Sequence, residues 1–253
     1  MNEYNPFSLK GKTVLVTGAS SGIGKATAIE CSRLGASVII TARNEVRLSE
    51  TFKQLTKMDG QQHQMHLADL SLEEELDELI NILPVLDGIS LNAGIVKTLP
   101  IKFIKNEDLM GVMNTNTFSS FNLIQKLLKK KKLNKNASIV FTSSIGGVYT
   151  VSMGNTMYSM SKGALNAFMK SFALEMASKG IRSNSVNPGM IDTNILSAGT
   201  ISEEELNKNK ELYPLGRHGK PEEVADAIIF LLSDASSFIT GQTLIIDGGF
   251  TLR

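Results

Sequence analysis

Apolar residues along this chain follow two alternating rhythms. Short β-branched or aliphatic runs at residues 12–17 (KTVLVT), 37–41 (SVIIT), 64–67, 86–91, 138–142, 182–186 and 243–246 predict strands. The segments between them carry helical spacing. Residues 24–34 predict a helix closed by Gly35, and 45–58 place Val46, Leu48, Phe52 and Leu55 along another. Ser71, with Glu74 three positions on, predicts a capping box that opens a third. Residues 109–133 predict a long, mostly amphipathic helix, 157–179 one closed by Gly180, and 222–232 the last. Regular strand–helix alternation implies parallel strands joined by right-handed crossovers. The expected fold is α/β, a doubly wound parallel sheet of about seven strands flanked by helices. No linker, repeat or low-complexity segment interrupts it, so residues 1–253 read as a single domain with a loose polar arm over 1–10.

Composition narrows the function classes. A net charge of +1 favours neither nucleic acid nor an acidic surface. Cys31 is the only cysteine, which excludes an internal disulfide and fits a reducing, cytoplasmic setting. There is no apolar stretch of membrane-spanning length and no basic-then-apolar leader, so no membrane partner is expected. The lysine run at 129–132 reads as a solvated helix C-terminus rather than a site for an anionic partner.

Candidate chemistry starts at residues 17–24, TGASSGIG. This glycine-rich turn follows a strand and opens a helix, the context of a dinucleotide-phosphate site. Its spacing is G-x-x-x-G-x-G rather than G-x-G-x-x-G, with the same physics: a tight turn, close backbone approach to the pyrophosphate, and free N–H groups at the helix start. The second strand ends Ala42-Arg43. An acid that would bind ribose hydroxyls is missing there and a guanidinium follows, which favours the 2′-phosphate of NADP(H) over NAD(H). Tyr158 and Lys162 are four apart and share one helix face. A cation so placed is expected to lower the phenol pKa from about 10 and make Tyr158 a proton donor and acceptor. Ser143-Ser144 lies just upstream.

Together these residues resemble the short-chain dehydrogenase/reductase family. The resemblance covers residues 9–249 and rests on 17–24, Asp69, Asn92-Ala93-Gly94, Asn116, Ser144, Tyr158 with Lys162, Asn187-Pro188-Gly189 with Thr193, and PLGRHGKPEEVA at 214–225. It implies a Rossmann-type NADP(H)-dependent oxidoreductase of carbonyls and secondary alcohols. Tyr158 would protonate the carbonyl oxygen, Lys162 would lower its pKa and hold the nicotinamide ribose, and Ser144 would hydrogen-bond the substrate. Asn116 would position a water leading from Lys162 to solvent. Gly18, Ser20, Ser21, Gly22, Ile23 and Gly24 would form the phosphate turn, with Arg43 on the 2′-phosphate. Asp69 would accept from the adenine amine with Leu70 beside the ring, and Asn92, Ala93 and Gly94 would pass beneath the adenosine ribose. After the Pro188-Gly189 turn, Ile191 and Thr193 would anchor the carboxamide. Phe250 and the helix bearing Tyr158 would build a homo-oligomer, a tetramer or a dimer. Leu91 stands where the family usually has asparagine. Ser143 competes with Ser144, which fits the S-x-x-G pattern to Gly147, and Asn114 competes with Asn116, which the spacing to Phe121 favours. His63 and His66 face opposite sides of a strand, so no metal site is expected.

Substrate identity is less legible. Residues 194–212 are polar and expected to cover the substrate, whose lining would include Ser144, Tyr149, Met153, Met190 and Leu196. The whole-chain pattern is similar to bacterial 3-oxoacyl-carrier-protein reductases. Those carry an arginine where Leu174 precedes Glu175, so an acyl carrier protein partner stays one alternative beside sugars, polyols and steroids. A non-catalytic NADP-binding sensor or scaffold is the other, and the intact Tyr158–Lys162 pair speaks against it.

Overall fold

The computed structural model describes residues 4–193 and 203–252. Seven parallel strands form one sheet: β1 (Thr13–Thr17), β2 (Ser37–Ala42), β3 (Gln64–Leu67), β4 (Leu86–Leu91), β5 (Leu133–Thr142), β6 (Arg182–Pro188) and β7 (Thr243–Ile246), in the order β3-β2-β1-β4-β5-β6-β7. The two-residue period of a strand sorts its side chains to opposite faces. Leu15, Ile39, Ile89, Ile139 and Phe141 enter one core. Val14, Val16, Val38, Ile40 and Val140 enter the other. The first core is closed by α3 (Glu73–Ile82), α5 (Ser119–Lys129) and α6 (Thr156–Met176). The second is closed by α1 (Gly22–Arg33), α2 (Glu45–Lys53) and α8 (Pro221–Leu232). Strand order reverses between β1 and β4, so the connections leave in opposite directions and open a crevice at the carboxyl ends of the strands.

Several boundaries differ from the sequence reading. The helix expected over 109–133 is three pieces: α4 (Asn106–Met113), a π-helical turn (Asn114–Phe118) and α5. It stops where Lys131 takes a left-handed φ of 55°, and Leu133 already begins β5. Pairing of β5 with β4 then jumps from Leu133 to Ser138, which is why only the regular part, 138–142, carried a strand signal. The capping box at Ser71 does not form. The α3 N-cap is Leu72. Ser71 instead donates through N (3.0 Å) and Oγ (2.6 Å) to Asp69 Oδ1, and Glu75 Oε2 accepts from Asp69 N at 2.7 Å. A short α7 (Glu203–Lys210) lies within the segment expected to cover the substrate; the remainder of that call, 194–202, lies outside the described residues.

Residues 6–9 of the N-terminal arm are tied to the body of the protein. Leu9 is fully buried in the second core and donates its N–H to Leu34 O at 2.9 Å. Pro6 O accepts from Ala235 N at 3.0 Å, and the Phe7 ring lies 6.3 Å from that of Phe230. The polar residues around Leu9 hid a single apolar anchor. Leu9→Ala should therefore cost about 2–4 kcal/mol, the range for emptying a buried leucine site. Urea unfolding that shows a loss below about 0.5 kcal/mol, the level of a surface change, would mean the arm contributes nothing.

Candidate active site

The crevice is built where β1 and β4 part. β1 runs into the 17–24 turn, and α1 begins at Gly22 with Ser21 as an extended N-cap. Ser21 makes no side-chain bond to the first turn, so the helix start keeps its N–H groups for an anion. Gly18, at φ 62°, leaves no room for a side chain: a Cβ there would sit 2.8 Å from Ala93 N. Across the crevice, a Cβ on Gly22 would lie 3.1 Å from Thr193 Cγ2. The phosphate turn thus faces the residue expected to hold the carboxamide, with Ser20, Ser21 and Ile23 partly exposed between. This cradle of glycine backbone and uncapped helix end fits a nicotinamide dinucleotide.

Behind the crevice, β1, β4 and β5 are laced by polar bonds. Asn92 donates N–H to Thr17 Oγ1 (3.1 Å) and its amide to Thr17 O (3.2 Å), and accepts from Thr142 Oγ1 at 2.7 Å. Its side chain also bonds Ser90, so it is spent on the strands and offers a cofactor only its backbone. Thr142 O in turn accepts from Lys162 Nζ at 2.8 Å. Thr142 was absent from the sequence reading and sits at the centre of the arrangement.

Tyr158 and Lys162 project from the first turns of α6 towards this edge. The Lys162 ammonium lies 5.7 Å from the Tyr158 ring centroid. Burial pushes its pKa down to about 8. The expected lowering of the Tyr158 pKa is corrected here: burial pushes the phenol above the usual tyrosine range, and a hydrogen bond with Ser144 offsets only part. The Thr142 carbonyl draws the ammonium to the strand end, so loss of water around the phenol outweighs the cation. Ser144 also accepts from Gly146 N at 3.0 Å. Ser143 is buried and donates to Lys162 O at 3.1 Å, so of the two serines Ser144 is the one beside the phenol. Asn187 holds Ser144 from below, donating to its carbonyl at 2.8 Å.

Asn116 lies on the π-helical turn and is fully buried, whereas Asn114 is exposed. Its amide grips the Ile95 backbone from both sides, accepting from N (2.8 Å) and donating to O (3.0 Å), and donates to Ser161 Oγ at 2.9 Å. A Cβ on Gly94 would lie 3.4 Å from Asn116 Oδ1 and 3.5 Å from Lys162 Nζ, so one glycine abuts both groups. At the adenine end, Arg43 lies 3.5 Å from Asp69 Oδ2. Burial works to raise the Asp69 pKa, but Ser71 and the Arg43 guanidinium outweigh it and hold the carboxyl below its usual range. Leu70 is buried in the first core.

The comparisons agree with this geometry. A family model described as "Enoyl-(Acyl carrier protein) reductase" matches residues 18–251. A tropinone reductase homologue of Arabidopsis thaliana is 38% identical over 253 residues, 98% of this chain and 94% of its own. A 3-oxoacyl-[acyl-carrier-protein] reductase FabG of Rickettsia felis is 38% identical over 245 residues, 96% and 98% of the two chains. The chain belongs to the short-chain dehydrogenase/reductase family. An Agrobacterium tumefaciens protein described as a 2-deoxy-D-gluconate 3-dehydrogenase, solved with bound NADP, superposes with a TM-score of 0.87 at 30% identity over 99% of this chain and 100% of that one.

In this dehydrogenase/reductase the residues expected to line the substrate differ in exposure. Tyr149 spends its hydroxyl on Thr243 Oγ1 at 2.5 Å, three residues before the end of the edge strand β7. Met153 is 99% exposed. Met190 is partly buried and donates N–H to Tyr213 Oη at 2.9 Å. Leu196 lies outside the described residues. Ile191 bridges Gly219, and Gly189, after Pro188, donates N–H to Ile246 O at 3.0 Å. Tyr213, which no local motif singles out, and His218, which the 214–225 motif contains without assigning it a role, lie beside this loop.

The buried ammonium has a measurable signature. Below pH 8 both folded and unfolded chains hold the Lys162 proton, and the cost of burying the charge is fully present. Between about 8 and the ordinary 10.5, the folded chain has lost the proton and the unfolded chain keeps it, so wild-type stability rises with pH. The stability of Lys162→Met relative to wild type should therefore fall by about 3 kcal/mol across that window. A relative stability that stays flat in urea titrations from pH 7 to 10.5 would show an ammonium in contact with water.

Proposed function

We propose that this oxidoreductase interconverts a carbonyl and a secondary alcohol with NADP(H), using Tyr158 as general acid and base. The observation that carries the reading is the buried Tyr158 phenol beside the Ser144 hydroxyl, with the buried Lys162 ammonium 5.7 Å from its ring, all at the edge of the dinucleotide crevice. A bound nicotinamide would supply or accept the hydride. Ser144 and Tyr158 would together hold the substrate oxygen. With its pKa raised, the phenol stays protonated at neutral pH, the state that reduction of a carbonyl needs. Lys162, tied to Thr142, would present its remaining N–H donors to ribose hydroxyls and pass a proton to Tyr158 through them. Asn116 acts as a positioning residue: by gripping Ile95 it holds the strand-to-loop exit that carries Gly94 under the cofactor. Gly18 to Gly24 would take the pyrophosphate, Asn92 to Gly94 the adenosine ribose through backbone, and Pro188 to Thr193 the carboxamide.

The FabG relatives favour a 3-oxoacyl-carrier-protein substrate as the second reading. Leu174, 82% exposed on α6 where that class has arginine, does not support carrier docking. With Phe118 and Phe121 it leaves an apolar surface that suits a homo-oligomer, and β7 offers a free sheet edge for a second contact, so a tetramer is the assembly proposed. A cytoplasmic location is the reading a lone, fully buried thiol supports.

Tyr158→Phe should leave NADPH binding near normal and lower kcat on a ketone panel by about 10²-fold or more, the loss of a positioned proton donor. Retention of most turnover would remove Tyr158 from the mechanism.

Arg43 sets the second test. Its guanidinium already pairs with Asp69, so a 2′-phosphate would compete with that contact and the net preference should sit near the low end of a charged hydrogen bond, about 1.5 kcal/mol or roughly tenfold in kcat/KM for NADPH over NADH. Ala42→Asp with Arg43→Ala should reverse the ratio, because the new carboxylate accepts from both ribose hydroxyls and repels a phosphate. An unchanged ratio would place cofactor choice elsewhere.

A further inference from the structure

α7 has the sequence EEELNKNK, with Leu206 as its one apolar residue. An eight-residue helix is marginal alone, and this one has little apolar surface with which to dock. Its inward face is nonetheless defined: Leu206, Asn209 and Lys210 are partly buried, and Tyr213, one turn on, is buried. The polar contact on that face leads to His218. The imidazole is buried, with Nδ1 3.3 Å from Asp192 Oδ1 and Nε2 2.9 Å from Asn209 Oδ1, and the Tyr213 ring packs edge-on at 5.5 Å. Asp192 is the neighbour of Thr193, which faces the phosphate turn across the crevice. One ring therefore joins the cofactor-side loop to α7.

We propose that His218 is a positioning residue that docks α7 against the substrate side of the site, which rests on the oxidoreductase reading above. The loop does not need His218 for its own placement. Asp192 N donates to Gly219 O at 2.8 Å and Gly219 N to Met190 O at 3.0 Å, so the 190–192 backbone is held by its own bridge. Among the described residues, α7 meets that loop through Asn209, whose partner is the ring. The chemistry of the tie is robust. A carboxylate only accepts, so Nδ1 donates to Asp192. Nε2 then donates to the Asn209 oxygen when the ring is protonated, or accepts from the flipped Asn209 amide when it is neutral. Asparagine thus keeps α7 docked in either state. The other groups around the ring do not compete: the Arg217 guanidinium is forked onto Glu223 at 2.8 and 2.6 Å and onto the His218 carbonyl at 3.1 Å, and Tyr213 Oη is spent on Met190 N.

The test combines backbone amide exchange of the full chain with steady-state kinetics. His218→Phe keeps the ring and its Tyr213 contact but loses both hydrogen bonds. The α7 amides should exchange about tenfold faster, the scale of one lost hydrogen bond, with amides 190–192 unchanged. KM for the carbonyl substrate should rise by about tenfold while kcat and the NADPH Kd stay within about twofold. Asn209→Leu, which removes the ring's partner on α7 and leaves His218 and its Asp192 contact in place, should speed exchange of the α7 amides to the same extent as His218→Phe. Unchanged α7 exchange in His218→Phe, or faster exchange with an unchanged KM, would overturn the proposal. A wild-type enzyme inactive on every carbonyl offered would strike the oxidoreductase reading instead, and docking would then stand or fall on the exchange of His218→Phe and Asn209→Leu.

Discussion

An ammonium group is buried at the carboxyl edge of the sheet, and much of the site is arranged around keeping it there. Desolvation of a cation is expensive unless its donors are met. Lys162 meets part of the requirement with the Thr142 carbonyl, and Thr142 is itself fixed through its hydroxyl to Asn92, which laces β1 to β4. The same bonds therefore hold the cation and define the crevice at the point where strand order reverses. α6 brings the lysine to that point because its inward face is deeply packed, with Met157, Leu165, Met169 and Phe172 buried below and around it. A helix less firmly seated would let the ammonium escape to water, and the phenol four residues before it would move as well.

The fold was legible because each strand carries its own period. Leu15 and Val16 are neighbours in the chain and belong to different cores, and that alternation recurs in β2 and β5. Boundaries failed where a local rule was overridden by a tertiary contact. Ser71 reads as a helix cap, but Asp69 captures both its N–H and its hydroxyl. Leu9 reads as part of a polar arm, but one leucine suffices to anchor it in a core.

The site was legible in part. Spacing put Tyr158 and Lys162 on one helix face, yet it could not say that a strand-end carbonyl would claim the ammonium or that burial would raise the phenol pKa rather than lower it. The roles of Thr142, Tyr213 and His218 were not legible for a related reason, although a predicted strand ended at Thr142 and the 214–225 motif contained His218. Their partners are Asn92 and Lys162, Met190, and Asp192 with Asn209, all brought together only by the folded chain.

The two sides of the crevice are built from different materials, and this bears on specificity. The cofactor side is strand ends and glycine backbone, with Asn92 and Asn116 spent on internal bonds, so little there can vary without disturbing the sheet. The substrate side is a short polar helix, a histidine tie and the turn at Tyr213 and Phe250, whose rings pack at 5.0 Å. These parts hang on a few polar contacts outside the two cores. On the proposed reading, changing them would alter what the crevice admits while leaving Tyr158, Ser144 and Lys162 in place. Relatives of similar identity named for tropinone and for 3-oxoacyl carrier-protein substrates are what such a division of labour would produce.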